Sequence, residues 1–225
     1  AIFVPVGGGG LIAGVAAYVK YLRPEIQVIG VEPADAPTLH AALKAQQRVK
    51  LDQVGIFADG VAVRQVGQLP FDLARHYVDE VLLSSTDEIC AAIKDIFDDT
   101  RTITEPAGAL ALAGLKQYIA REGGNGRHLI TIASGANMNF DRLGYITERS
   151  EIGKQEEALM AVTIPEHPGS FRQFCHAIGP HVITEFNYRY ADDTTAQVFV
   201  GLRLTGGFAE KERLLAKLRD KGYPV

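Results

Sequence analysis

The sequence predicts an α/β domain built on an open parallel sheet, followed by a partial α+β module with a ferredoxin-like pattern. Three observations carry this. Short apolar runs alternate with helical periodicities over residues 1–147, the rhythm of parallel strands joined by crossover helices. The first run stops at four consecutive glycines. After residue 158 the order changes to β-α-β-β-α, one strand short of a βαββαβ module.

In order, residues 2–6 (IFVPV) read as a buried parallel strand and 11–23 as a helix closed by Pro24. Residues 26–32 (IQVIGVE) form the second strand. Pro33 and Pro37 bracket a turn into a helix over 38–47. A short helix over 67–76 precedes a strand over 78–83. Ser84, Ser85, Thr86 and Asp87 offer N-caps for a helix over 86–98, where Ile89, Ala92, Ile93 and Ile96 keep helical spacing. Glu105-Pro106 opens a helix over 107–121, which the Gly123-Gly124-Asn125-Gly126 stretch breaks. HLITIA (128–133) reads as a buried strand and Ser134-Gly135-Ala136-Asn137 as a polar turn. Residues 148–157 are charged, lack apolar periodicity and read as a linker or an exposed helix end between domains at 1–147 and 158–225. Beyond them come a strand (158–165), a helix (170–178), strands 181–190 and 195–204 joined by Asp192-Asp193, and a helix over 208–221.

Composition narrows the function classes. A net charge of −4 gives no broad attraction to nucleic acid or anionic membrane. No apolar run reaches the roughly 18 residues a membrane span needs. Cys90 and Cys175 lie far apart, outside any ligand spacing, and read as reduced cytosolic thiols. The chain opens on a buried strand without a start methionine and stops where a further strand is due, so both ends are expected to be cut.

Three motifs can carry chemistry. Gly7-Gly8-Gly9-Gly10, between a strand and a helix, lets the backbone approach a ligand and exposes the unsatisfied N–H groups of the helix start, which suits a phosphate. The spacing matches neither a dinucleotide fingerprint nor a Walker A loop. Ser134 lies after a strand on the same sheet edge, where ligands of open α/β sheets sit. Glu105 before Pro106 reads, by itself, as helix capping.

Together with Leu11 and Val31-Glu32-Pro33, and in this order, these motifs resemble the pyridoxal-phosphate-dependent threonine dehydratase and serine racemase group, PLP fold type II (tryptophan synthase β-like). The βαββα tail, with Pro168-Gly169-Ser170-Phe171 at its first helix, resembles the ACT-like regulatory domain of biosynthetic threonine dehydratases. The resemblance implies that Gly7, Gly8, Gly9, Gly10 and Leu11 hold the phosphate of pyridoxal 5'-phosphate, and that Ser134 faces its ring nitrogen. It implies deamination of L-threonine to 2-oxobutanoate and ammonia in a cytoplasmic homotetramer. The ACT-like region is then expected to bind isoleucine as inhibitor and valine as its antagonist.

Racemases of the group hold a divalent cation through a glutamate, a backbone carbonyl and an aspartate. Glu32 and Ala36 match in position, but Thr38 stands in the aspartate's place, so no metal is expected. The lysine that carries the cofactor lies upstream in the family; most of this chain's lysines sit in solvated helical patterns, and none lies in a loop beside the glycines. No catalytic residue is therefore expected within this chain, and the chain alone is expected to be inactive. A serine/threonine dehydratase or racemase of the same fold, and a non-catalytic amino-acid-sensing protein, remain as alternatives.

Overall fold

The computed structural model describes residues 1–154, 156–190 and 194–225. It divides into two compact units, Ala1–Ser150 and Glu151–Val225.

The first unit holds β1 (Ile2–Pro5), α1 (Gly10–Leu22), β2 (Val28–Pro33), α2 (Thr38–Ala45), α3 (Gln68–Tyr77), β3 (Glu80–Ser84), α4 (Thr86–Thr100), α5 (Pro106–Glu122) and β4 (Ile130–Thr131). The strands form one parallel sheet in the order β3-β2-β1-β4. Alternation along β1 sends Phe3 to one face and Val4 and Val6 to the other. On Phe3's side α4 and α5 pack through Ile89, Ile93, Ala109, Leu110 and Ala113; on the other, α1, α2 and α3 pack through Ile12, Ala16, Leu39 and Phe71. Pro5 is tolerated in a central strand because Val6 N–H turns to β2, while the N–H that Pro5 lacks would turn to the β4 side. There pairing stops at Phe3↔Thr131. The small residues of α5 let it lie close on the sheet: a Cβ on Gly114 would strike Val31.

Helix α4 begins with a reciprocal capping box. Ser85 Oγ accepts from Glu88 N–H, and the Glu88 carboxylate accepts from Ser85 N–H at 2.7 Å. The strand expected buried over 128–133 is corrected: β4 is two residues long and Ile130 is 56% exposed. It is an edge strand, and its apolar run looks the same in sequence as a buried one. Two 3₁₀ turns, Asp59–Val61 and Phe140–Arg142, lie where no element is expected from the sequence. Helix α6 (Leu143–Gly153) ends inside the stretch expected as a linker or exposed helix end.

The second unit holds β5 (Glu157–Pro165), α7 (Ser170–Ile178), β6 (Ile183–Tyr190), β7 (Thr195–Arg203) and α8 (Gly207–Asp220). The sheet is antiparallel in the order β5-β7-β6. Met160, Val162 and Ile164 of β5 and Val198, Val200 and Leu202 of β7 face Phe174, Ile178, Leu214 and Leu218 of the helices. Thr163 N–H donates to Pro224 O at 3.0 Å, so residues 223–225 run beside the free edge of β5. The expected Asp192-Asp193 connection lies outside the described residues.

Candidate cofactor site

At the C-terminal edge of the parallel sheet lies a cavity of about 290 Å³, lined by Gly7, Gly8, Gly9, Gly10, Leu11, Ser134 and Glu105, with Gly60, Val61 and Ala107 closing its wall. All six residues the sequence singles out for the cofactor, the four glycines, Leu11 and Ser134, thus meet around one space. The reason is topological: β1 and β4 are neighbouring parallel strands, so the segments that leave them emerge on the same edge.

Gly9 and Gly7 are required sterically. Gly9 is the N-cap of α1 at φ 86°, a left-handed conformation that glycine adopts without strain, and a Cβ there would come within 2.9 Å of Val66 Cγ2. A Cβ on Gly7 would lie 3.0 Å from Val61 Cα, so the 3₁₀ turn rests directly on the loop backbone. A Cβ on Gly8 or Gly10 would meet nothing within 4 Å, so both present bare backbone to the open side. Helix α1 has no side-chain cap and no acidic residue in its first turn. Its positive end is therefore uncompensated, which favours an anion. This cradle fits a phosphate ester. Ser134 Oγ donates weakly to Ala107 O at 3.4 Å and remains able to turn to another partner.

Glu105 departs from the sequence reading. It is the N-cap of α5, yet its side chain makes no capping bond. The carboxylate lines the cavity instead. The sequence signal, an acid before Pro106, is plain, but which way the side chain turns is not written locally. Gly60 and Val61 carry no signal, since they come from an aperiodic stretch between α2 and α3.

Glu32 is fully buried. Its Oε1 accepts from Leu39 N–H at 2.7 Å and its Oε2 from His40 N–H at 2.8 Å, so it caps α2 from across the loop. Burial pushes its carboxyl up to about 7, against the opposing pull of the His40, Leu39 and Thr38 N–H groups. Thr38 turns its hydroxyl to Val63 O. Among the described residues no group of three or more His, Cys, Asp or Glu side chains could hold a metal ion.

Residues 1–135 match the model of the pyridoxal-phosphate dependent enzyme family, and residues 148–225 match that of the C-terminal regulatory domain of threonine dehydratase. The chain is 55% identical over 224 residues to the biosynthetic L-threonine dehydratase IlvA of Pasteurella multocida and 53% identical to that of Escherichia coli, matching 100% of this chain and 44% of each relative. Among solved structures it is similar to the processed form of threonine deaminase isoform 2 from Solanum lycopersicum, with a TM-score of 0.66 and 44% identity over 67% of this chain and 42% of that one. The chain therefore spans less than half the length of the curated relatives it matches.

Proposed function

We propose a function from one premise: this chain belongs to the family of pyridoxal-phosphate dependent enzymes. In our reading it forms the phosphate-binding and regulatory part of a biosynthetic threonine dehydratase, which converts L-threonine to 2-oxobutanoate and ammonia. The observation that carries the reading is the convergence of Gly7, Gly8, Gly9, Gly10, Leu11 and Ser134 on one cavity at the sheet edge. Bound pyridoxal phosphate supplies the electron sink for loss of the Cα proton and the β-hydroxyl. The backbone N–H groups at the start of α1 hold the phosphate and so fix the position of whatever is attached to it. Ser134 offers the ring nitrogen a neutral hydroxyl, which places no charge there.

The residues that line the cavity include no lysine, so the amine that anchors the cofactor comes from elsewhere in the working protein. The test is to titrate this chain with pyridoxal phosphate, reduce with borohydride and map the peptides. Saturable binding without a lysine adduct is expected. A single modified lysine would show that the chain supplies its own anchoring amine, and no binding to folded chain would remove the reading.

The reading extends to regulation. Residues 148–225 match a regulatory domain, and a cavity of about 310 Å³ opens where β5 turns into α7, between Glu166, His167, Ser170, Phe171, Phe186 and Tyr188. Phe171 and Phe186, 5.0 Å between ring centroids, offer an apolar wall, and the Ser170 hydroxyl, 2.9 Å from His167 Nδ1, a polar one. Such a site suits a branched apolar amino acid, isoleucine as inhibitor with valine as its antagonist. No helix among the described residues is long and apolar enough to cross a membrane. The working protein in this reading is a cytoplasmic homotetramer.

A further inference from the structure

We propose that Glu105 is a further ligand-contacting residue of the cofactor cavity, its carboxylate accepting a hydrogen bond from a hydroxyl or protonated nitrogen of the bound cofactor or of the amino acid joined to it. The inference rests on the reading of this cavity as a pyridoxal-phosphate site. Three observations carry it.

The first is position. Glu105 lines the same space as the glycine loop and Ser134, and its side chain is wedged between backbones. A Cβ on Gly135 would collide with Glu105 Oε1, and one on Gly60 would stand 3.8 Å from the same oxygen. The turn after β4 is held to Glu105 by a 3.2 Å bond from Glu105 N–H to Gly135 O. Gly135 thus leaves the room that the carboxylate occupies.

The second is that the carboxylate is unpartnered. It does not cap α5, although it sits at the N-cap. Among the described residues it has neither a hydrogen-bond nor an ion-pair partner. A half-buried carboxylate left so accepts from whatever donor the ligand brings, since an ionised carboxylate can only accept.

The third is charge. The loop end of the cavity is built for an anion, and a second anion nearby is repelled unless it meets a proton. The lining residues include no lysine, arginine or histidine. The compensating proton or charge therefore arrives with the ligand, and it belongs to the part that is not phosphate.

The experiment compares pyridoxal phosphate and inorganic phosphate as ligands of the whole chain and its Glu105→Gln and Glu105→Asp variants. Melting temperature serves as the control of folding. Glu105→Gln is expected to weaken pyridoxal phosphate about tenfold, the loss of one charge-assisted hydrogen bond, and to leave phosphate affinity unchanged. The pH midpoint of the bound cofactor's visible absorbance should fall by about one unit, because the carboxylate favours the protonated form. Glu105→Asp should recover part of both effects. Unchanged affinity and midpoint in well-folded Gln variant would overturn the proposal, as would tighter binding of both ligands, which would mark the carboxylate as a repulsive bystander. Failure of the unaltered chain to bind pyridoxal phosphate would instead remove the underlying reading of the cavity.

Discussion

Glu32 illustrates how much one residue's role depends on where its side chain goes. In sequence it stands at the end of an apolar strand and invites comparison with a metal-binding glutamate; in the fold both its oxygens are engaged by the start of α2. Its carboxyl is raised from an ordinary 4.5 to about 7 by burial. A group raised on folding stabilises the fold fully below its unfolded pKa and loses that contribution as pH climbs through its folded pKa. Glu32 should thus make the first unit less stable between about pH 4.5 and 7, by on the order of 3 kcal/mol at about 1.4 kcal/mol per unit. Melting temperatures from pH 5 to 8 should fall in the unaltered chain and stay flat in Glu32→Gln; parallel slopes would refute this. The glycine loop that lines the cavity is more legible. Four glycines after an apolar strand announce a bare-backbone turn into a helix start, because the signal is local. Gly60 and Val61 are not legible, since only tertiary packing brings the 3₁₀ turn against Gly7. Glu105 is visible as a helix start and invisible as a cavity wall, because a capping position does not fix the direction of a side chain.

At the scale of the element, periodicity and punctuation recover nearly every helix and strand. Helix α7 occupies the expected residues, Ser170–Ile178, between Gly169 at φ 94° and Gly179 at φ 78°, and glycines in left-handed conformations are strong stops. Composition fails where exposure is at issue. β4 and β6 read as apolar or aromatic strands, yet both are sheet edges, and β6 is exposed along its whole length. An apolar run says that a strand is present and not which neighbour covers it. The turn between β5 and α7 builds the proposed effector cavity from Ser170 and Phe171 on the helix and Phe186 on β6. Isothermal calorimetry should record saturable isoleucine binding, weakened at least fivefold by Phe171→Ala. Heat that is absent, or unaffected by the substitution, would argue against this location.

The whole molecule has two units with separate cores. The first carries a glycine loop at the edge of a parallel sheet, proposed as a phosphate cradle, and the second an antiparallel sheet with both helices on one face. The change of rhythm near residue 150 makes this division readable, because parallel strands and their crossover helices differ in period from an antiparallel module. The two 3₁₀ turns and the start of helix α6 escape the sequence, for they lack strong apolar patterning. The proposal for the first unit is a phosphate ester held by the loop from Gly7 to Gly10. The most direct measurement is amide NMR of the labelled chain titrated with pyridoxal phosphate, and separately with pyridoxal. Saturable shifts of the Gly8, Gly10, Leu11 and Ile12 amides are expected with the phosphorylated compound, and far smaller ones without the phosphate. Equal responses to both compounds, or shifts centred elsewhere, would contradict it.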